Sequence, residues 1–168
     1  VYKRQDQVTK NNVVNVSDLE AGATWQYRVD GGDWSAALPA TTTSFNLSAG
    51  THAYDVRQTD VAGNTATSTT LTATLDAAIS QTALTVNAAA ATAAEATAGA
   101  VSVTADVGTS VVVTFVGAAT VTKTLIGTGS AQAVTLTSEE VTALGNRTVD
   151  VSAVATDIAG NLSTATST

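Results

Sequence analysis

The chain has 168 residues and no cysteine, which excludes disulfides and thiol chemistry. Its net charge of −7 disfavours nucleic acid and anionic lipid as partners, because carboxylates repel phosphates. No apolar run approaches the ~18 residues of a membrane span, so we expect no membrane insertion by this segment. Charged residues make up only 12%, and the Thr, Ala, Val and Ser that replace them favour extended strands.

The amino-terminal segment does not resemble the rest of the chain. We interpret residues 1–5, VYKRQ, as foreign to the domain that follows them. Only residues 6–12 then precede the first alternating apolar stretch, so we expect the first domain to lack its opening strand. A missing edge strand would leave unpaired backbone groups beside the next strand.

Short strands separated by polar turns are predicted through the first half of the chain. Apolar residues with a period of two mark these strands at Val14 and Val16, at Trp25, Tyr27 and Val29, at Phe45 and Leu47, and at Tyr54 and Val56. Most aromatic residues follow this alternation and are expected in the core. Trp34 lies beside a Gly-Gly turn and is the exception. Arg28 and Asp55 point outward from predicted neighbouring strands and are expected to form a cross-strand ion pair.

The second half repeats this organisation after a predicted linker at residues 76–81. The domains are therefore expected at 6–75 and 76–168. Strands are predicted where apolar residues alternate, at 84–87, 101–103, 111–115 and 149–153.

Two segments of the second domain have helical composition. The alanine-rich stretch 88–98 permits a helix, yet a loose loop after a first strand fits a sandwich better. A single helical turn is expected at 138–144, with Ser138 as its cap and Val141 and Leu144 facing inward.

Two landmarks recur in the same order and indicate a duplicated domain. The sequence Asp-Val-Ala-Gly-Asn at 60–64 returns as Asp-Ile-Ala-Gly-Asn at 157–161, and Glu-Ala-Gly at 20–22 matches Asp-Val-Gly at 106–108. In the first landmark we expect a hairpin turn built by Gly63 and Asn64, and by Gly160 and Asn161. Short strands at regular intervals without helical crossovers favour an all-β fold, two tandem immunoglobulin-like β-sandwiches.

These landmarks resemble the bacterial Ig-like repeats of giant surface adhesins of the RTX and biofilm-associated types. The segments WQYRVDGGDW at 25–34 and VNAAAATAAEATAG at 86–99 carry the same resemblance, which covers nearly all of residues 7–168. It implies a secreted protein on the bacterial cell surface, in which such repeats form a stalk that spaces a ligand-binding tip from the cell. It also implies neighbouring repeats of the same chain as partners, and calcium that stiffens the domain junctions.

The acidic residues suggest where such calcium would bind. In a seven-stranded sandwich, the loop between the second and third strands and the last hairpin share one end, here named the leading end. Ca²⁺ requires six to eight oxygen ligands at flexible distances. We therefore predict a junction site with Asp76, Asp106 and Asp157 and a partial site with Glu20 and Asp60. Asp30 and Asp33, at the opposite or trailing end, are further possible ligands. The alternative is that Asp60 and Asp157 only form Asx turns.

An enzyme and a binding module are the functions that compete with the stalk. No nucleophile motif accompanies His52, the only histidine, and zinc would lack a second imidazole, so we expect no enzyme. A module that binds a surface glycan or a protein through Trp34 and neighbouring loops remains the alternative.

Overall fold

A computed structural model describes residues 7–80 and 82–167. The chain divides after Ala77 into two compact units. This division falls inside the predicted linker 76–81. Each unit is described by itself below.

The first unit consists of two β-sheets. Its strands are β1 (Val8–Thr9), β2 (Val13–Asn15), β3 (Thr24–Val29), β4 (Leu38–Pro39), β5 (Ser44–Asn46), β6 (Gly50–Thr59), β7 (Thr65–Thr67) and β8 (Leu71–Leu75). One sheet has the order β1-β8-β6-β3-β4, with β7 also paired to β6, and the other pairs β2 with β5. All pairs are antiparallel except β1 and β8.

Aromatic rings fill the core of the first unit. Trp25, Phe45 and Tyr54 are buried, as the period-two alternation predicted, and Tyr27 packs half-buried against them. The Tyr27 and Phe45 rings stack with centroids 4.5 Å apart. The polar ends of the buried rings are satisfied, since Trp25 Nε1 donates to the Thr42 carbonyl at 2.7 Å and the Tyr54 hydroxyl accepts from the Ser48 N–H at 2.8 Å.

The start of the first unit is short, but it contains a strand. The two residues of β1 pair in parallel with the end of β8, in the segment 6–12 that we expected to be too short for one. Within the described residues, β2 pairs with β5 alone, so one edge of β2 has no strand beside it. The predicted foreign segment 1–5 lies outside the described residues.

The second unit also consists of two sheets. Its strands are β9 (Ala83–Val86), β10 (Val101–Thr104), β11 (Ser110–Val116), β12 (Thr120–Ile126), β13 (Gln132–Val134), β14 (Asp150–Thr156) and β15 (Leu162–Ser167). The sheet orders are β9-β10-β13 and β12-β11-β14-β15, and every pair is antiparallel. Valine and alanine dominate the core, and Phe115 is its one aromatic residue.

The alanine-rich stretch 88–98 was expected to form a loop, but part of it is a helix. Helix α1 spans Ala93–Ala98. Thr92 and Glu95 form a reciprocal capping box at its start, and Gly99 ends it at φ 106°. The Thr-x-x-Glu spacing supplies partners for the exposed N–H groups of a first turn, which makes so short a helix possible.

The second helix appears at the predicted place with a different cap. Helix α2 spans Ser138–Leu144, and its N-cap is Thr137 rather than Ser138. Thr137 has Glu140 three residues later to complete a capping box, whereas Ser138 is followed at that spacing by Val141, which cannot accept an N–H. Leu144 is buried and Val141 packs against the core, as expected.

The register of the central strand pair relates the two units. In the first unit Thr24 pairs with Thr59, directly before the Asp60 hairpin. In the second, Ser110 pairs with Thr156, directly before the Asp157 hairpin. These are the positions that the two sequence landmarks match, so the duplication predicted from sequence holds residue by residue in the central strand pair.

Candidate functional site

The leading end of the first unit brings two predicted loops together. The Glu20 N–H donates to the Gln58 side-chain carbonyl at 2.8 Å, which ties the loop after β2 to the end of β6. A Cβ on Gly22, at φ 81°, would meet Val61 at 3.2 Å. The loops that carry Glu20 and Asp60 therefore lie against each other at one end of the sandwich.

The last hairpins of the two units are built by the same hydrogen bonds. The Asn64 N–H and side-chain amide each donate to one oxygen of the Asp60 carboxylate, both at 2.8 Å. Asn161 donates to Asp157 in the same way and at the same distances. The glycine before each asparagine has a positive φ, 92° at Gly63 and 83° at Gly160, which an L side chain rarely adopts. The two hairpins therefore share the same turn geometry at Gly63 and Asn64 and at Gly160 and Asn161.

Hydrogen bonding in the turns lowers the pKa of both hairpin aspartates and so favours their ionised form. The Asn64 side chain and then its backbone N–H lower the pKa of Asp60. For Asp157, burial is the largest influence and acts to raise the pKa, but the bonds from Asn161 and the turn backbone outweigh it and lower the pKa. Backbone hydrogen bonds from the turn, at Ala62 and Gly63 in the first unit and at Ala159 and Gly160 in the second, act in the same direction.

Asp106 holds the start of the second unit in place. Its carboxylate accepts the Ser80 N–H at 3.0 Å, and Ser80 belongs to the predicted linker. Its backbone carbonyl accepts a hydrogen bond from the Thr109 hydroxyl at 2.7 Å. A Cβ atom on Gly127 would come within 2.1 Å of the same carbonyl oxygen. Sequence reasoning missed this clamp, because it depends on an approach between residues far apart in the chain.

The other predicted ligands have individual roles. Asp76 belongs to the first unit, where its N–H donates to the Thr9 carbonyl at 2.9 Å. Asp30, at φ 51°, accepts the Ala53 N–H at 2.8 Å and pairs with His52 Nδ1 at 2.7 Å. Asp33 is exposed.

The Asp30–His52 pair shifts the pKa of both partners. The Ala53 N–H, followed by His52, lowers the pKa of Asp30. Asp30, followed by the Ala49 carbonyl, raises the pKa of His52. His52 lies near the start of β6 and fastens that strand to the turn after β3.

The acids do not gather into a ready-made cluster. In the described ranges, no three Asp, Glu or His side chains come together as a metal-binding group. Calcium bound by either unit would therefore take most of its oxygens from backbone carbonyls and water, with Asp106, Asp157, Glu20 or Asp60 contributing single carboxylates. The predicted calcium sites stay predictions.

The outer face of the first unit carries the predicted ion pair. Arg28 Nε lies 2.8 Å from an Asp55 carboxylate oxygen, and the two residues face each other across β3 and β6. Trp34 is half-buried beside them. The guanidinium carbon of Arg28 lies 4.7 Å from the centroid of the Trp34 ring and that of Arg57 lies 4.3 Å from it. Sequence analysis overlooked Arg57, although its spacing of two from Asp55 places it on the same face.

Among known proteins, the chain is similar to a repeat region of solved structure. No family model and no curated protein matches the chain. Among solved structures it is similar to a tetra-tandem repeat in the extending region of a large adhesion protein, at 19% identity and a TM-score of 0.43. The match covers 96% of this chain and 45% of that one, so the chain spans less than half of its length. No helix in the part that the structure describes is long and apolar enough to cross a membrane.

Proposed function

We propose that the chain is a pair of stalk repeats of a bacterial surface adhesin, which space a ligand-binding tip from the cell. The observation that carries this is a duplicated sandwich in which the first strand lies beside the last strand. In the first unit β1 is parallel to β8. In the second, Thr82 before β9 donates to Ser163 in β15 at 2.7 Å, so the two strands begin side by side. The chain thus crosses each unit from end to end, as a linear array of repeats requires.

Tandem copies test this proposal directly. One, two and four copies of the chain, joined head to tail, are expected to increase in maximum dimension by a constant step in small-angle X-ray scattering. Each unit adds length because its ends lie apart. A scattering curve for four copies that fits one compact body would contradict the stalk role.

Calcium is the finer part of the proposal. Carboxylates recur in the same two loops at the leading end of each unit, and a cation bound there would offset the repulsion between them. Asp157 and Asp106 would hold it in the second unit, and Glu20 and Asp60 in the first, while Asp76 remains a ligand predicted from the sequence. A ligand that binds only the folded state adds about 2.7 kcal/mol at a hundred times its dissociation constant.

A melting series in about 2 mM calcium or in EGTA tests this part. That calcium concentration is about a hundred times the dissociation constant of a ~20 μM site. Calcium is expected to raise the melting temperature of the parent, and Asp157→Ala is expected to lose most of that rise. Glu139→Ala, which removes an acid from α2 and not from a hairpin, is the matched control and should keep it. An unchanged melting temperature of the parent would remove calcium from the proposal and leave the stalk role standing.

A further inference from the structure

Five side chains form a polar group on the outer face of β3 and β6. We name it the Arg–Trp cluster: Gln26, Arg28, Trp34, Asp55 and Arg57. Gln26 faces Arg57 across the strands, and Arg28 faces Asp55. Both guanidinium groups lie over the Trp34 ring, at 4.7 and 4.3 Å from its centroid, within the range of cation–π attraction.

The cluster is held by bonds that order both arginines. Gln26 accepts from Arg57 Nε at 3.0 Å and from Nη2 at 2.8 Å, and its amide donates to the Ser35 carbonyl. Ser35 in turn is fixed to β3, since its N–H donates to Tyr27 at 2.8 Å. Trp34 therefore sits on a segment tied to the sheet, and its position does not depend on a free loop.

The arginines keep donors that the protein does not use. Arg28 donates to Asp55 through Nε, and Arg57 uses Nε and Nη2 for Gln26. In the described part of the chain, no hydrogen bond involves the two terminal nitrogens of Arg28 or Nη1 of Arg57. A guanidinium has five N–H donors in a rigid fork, so both groups retain donors that suit an oxyanion.

The second unit shows that the fold does not need this cluster. At the positions that match Gln26 and Arg57, the second unit pairs Val112 with Val154. At those that match Arg28 and Asp55, it pairs Thr114 with Ser152. The same strand pair therefore forms at the same register with no charged side chain at any of the four positions. A structural requirement of the sandwich does not explain the two arginines.

The charges around the cluster limit the ligand. Two guanidinium groups and one carboxylate make it locally cationic in a protein of net charge −7. Asp33, next to Trp34, is exposed, and the acidic surface as a whole would repel a dense polyanion. A ligand with a single carboxylate on an otherwise uncharged body meets the guanidinium donors without that repulsion, because screening limits the remote charges to about 8 Å at physiological salt.

We propose that the Arg–Trp cluster binds a carboxylated sugar, with the carboxylate on the free donors of Arg28 and Arg57 and the sugar body against the exposed part of Trp34. A guanidinium fork matches a carboxylate in shape, and an indole offers a flat apolar surface that a pyranose ring can cover. This binding role goes beyond the stalk function and does not depend on it.

A pair of sugars that differ in one group tests the proposal. Methyl β-glucuronide and methyl β-glucoside are titrated into the ¹⁵N-labelled full chain, and amide shifts are followed by NMR. The glucuronide is expected to bind with a dissociation constant on the order of millimolar. It should shift the amides of Gln26, Arg28 and Arg57 and leave those of Val112 and Thr114 unchanged, while the glucoside binds at least about tenfold more weakly.

Arginine variants assign the binding to the cluster. Arg57→Gln is expected to weaken glucuronide binding about tenfold or more, and Arg57→Lys to weaken it less, because lysine keeps the charge and loses the fork. Arg147→Gln removes an arginine from the second unit, changes the net charge equally and should bind like the parent. Melting curves identify any variant that fails to fold, and Arg28→Lys then serves as the second test of the cluster.

Four outcomes would overturn the proposal. They are equal binding of glucuronide and glucoside, acetate binding as tightly as glucuronide, preferential binding of poly-glutamate, and no amide shift at about ten times the expected dissociation constant. Equal binding of the two sugars would show that the cluster does not recognise the carboxylate, and tight binding of acetate would show that it does not recognise the sugar body. Preferential binding of poly-glutamate would identify an acidic peptide as the better ligand.

Discussion

The two units share the register of their central strands and the same last hairpin, but they fill the space between their sheets differently. Trp25, Phe45 and Tyr54 occupy much of the first core, whereas the second is built from valine and alanine with Phe115 as its one aromatic residue. Interiors must reach a similar packing density, and a few large rings or many small groups can both do so. The common frame therefore comes from the turns and strand pairing and not from one particular set of core residues.

The edges of the units differ as well. In the second unit β10 lies between β9 and β13, and the capped helices α1 and α2 add to the fold. In the described part of the first unit, the corresponding strand β2 has only β5 beside it. The first unit thus concentrates its packing in a few aromatic residues and has the less complete second sheet.

The largest expected effect is a loss of stability that differs between the two cores. Trp25→Ala should destabilise the first unit by about 3–5 kcal/mol, because it empties the space of a ring that is 1% exposed. Val113→Ala in the second unit should lose only about 2 kcal/mol. Both tryptophans lie in the first unit, so Trp34 fluorescence reports on that unit alone during urea unfolding, while circular dichroism reports on both. Equal losses of stability from the two substitutions would contradict the proposed difference between the two cores.

Hydrogen exchange tests the difference between the edges. We expect amides of β2 to exchange about tenfold or more faster than those of β10, which corresponds to about 1.4 kcal/mol less protection. The reason is that β2 is held from one side, and Val13 at its start is 44% exposed. Equal protection in the two strands would show that another part of the chain covers the edge of β2.

The two helices of the second unit differ in what they anchor. Thr137→Ala should lower the stability of that unit by about 1 kcal/mol, because α2 carries the buried Leu144. Thr92→Ala should have a smaller global effect, since no residue of α1 is buried and the helix can fray locally. Thermal unfolding by circular dichroism measures both, and Thr→Ser at each site should restore the parent value. An equal loss at the two sites would mean that α1 is part of the cooperative core.

The smallest effect is a loss of stability above pH 6.5 that is expected in the first unit alone, because the chain's one histidine lies there. Asp30 raises the pKa of His52 above 6.5, so the pair stabilises fully below pH 6.5 and this contribution is lost as pH rises through the folded pKa. The lowered pKa of Asp30 means that its contribution is present above pH 3.8 and lost as pH falls through the lower folded value. Trp fluorescence should therefore show a falling melting temperature of the first unit above pH 6.5.

A matched variant and the second unit serve as controls for this dependence. His52→Gln should flatten the slope above pH 6.5, and the second unit, which has no histidine, should not share it. A slope of equal size in the His52→Gln protein would assign it to another group.

Local patterns in the sequence predicted much of what the structure contains. The repeated hairpin was predictable because Asp, Gly and Asn each have a local role in its turn, and the aromatic core because alternation assigns each strand an inner face. The ion pair of Arg28 and Asp55 followed from the same alternation. The cap of α2 was within reach too, since the Thr-x-x-Glu spacing distinguishes Thr137 from Ser138.

The sequence by itself thus determined the duplication, the all-β class and the turn chemistry, because each depends on residues a few positions apart. Only the tertiary structure decided that Asp106 clamps Ser80, that Asp30 pairs with His52, and that Arg57 joins Arg28 over Trp34. The Asp30–His52 and Asp106–Ser80 contacts join residues 22 and 26 positions apart. They cross strands or loops whose approach no local pattern specifies. Their geometry follows from how the sheets pair and fold back, because that packing alone brings these groups into contact.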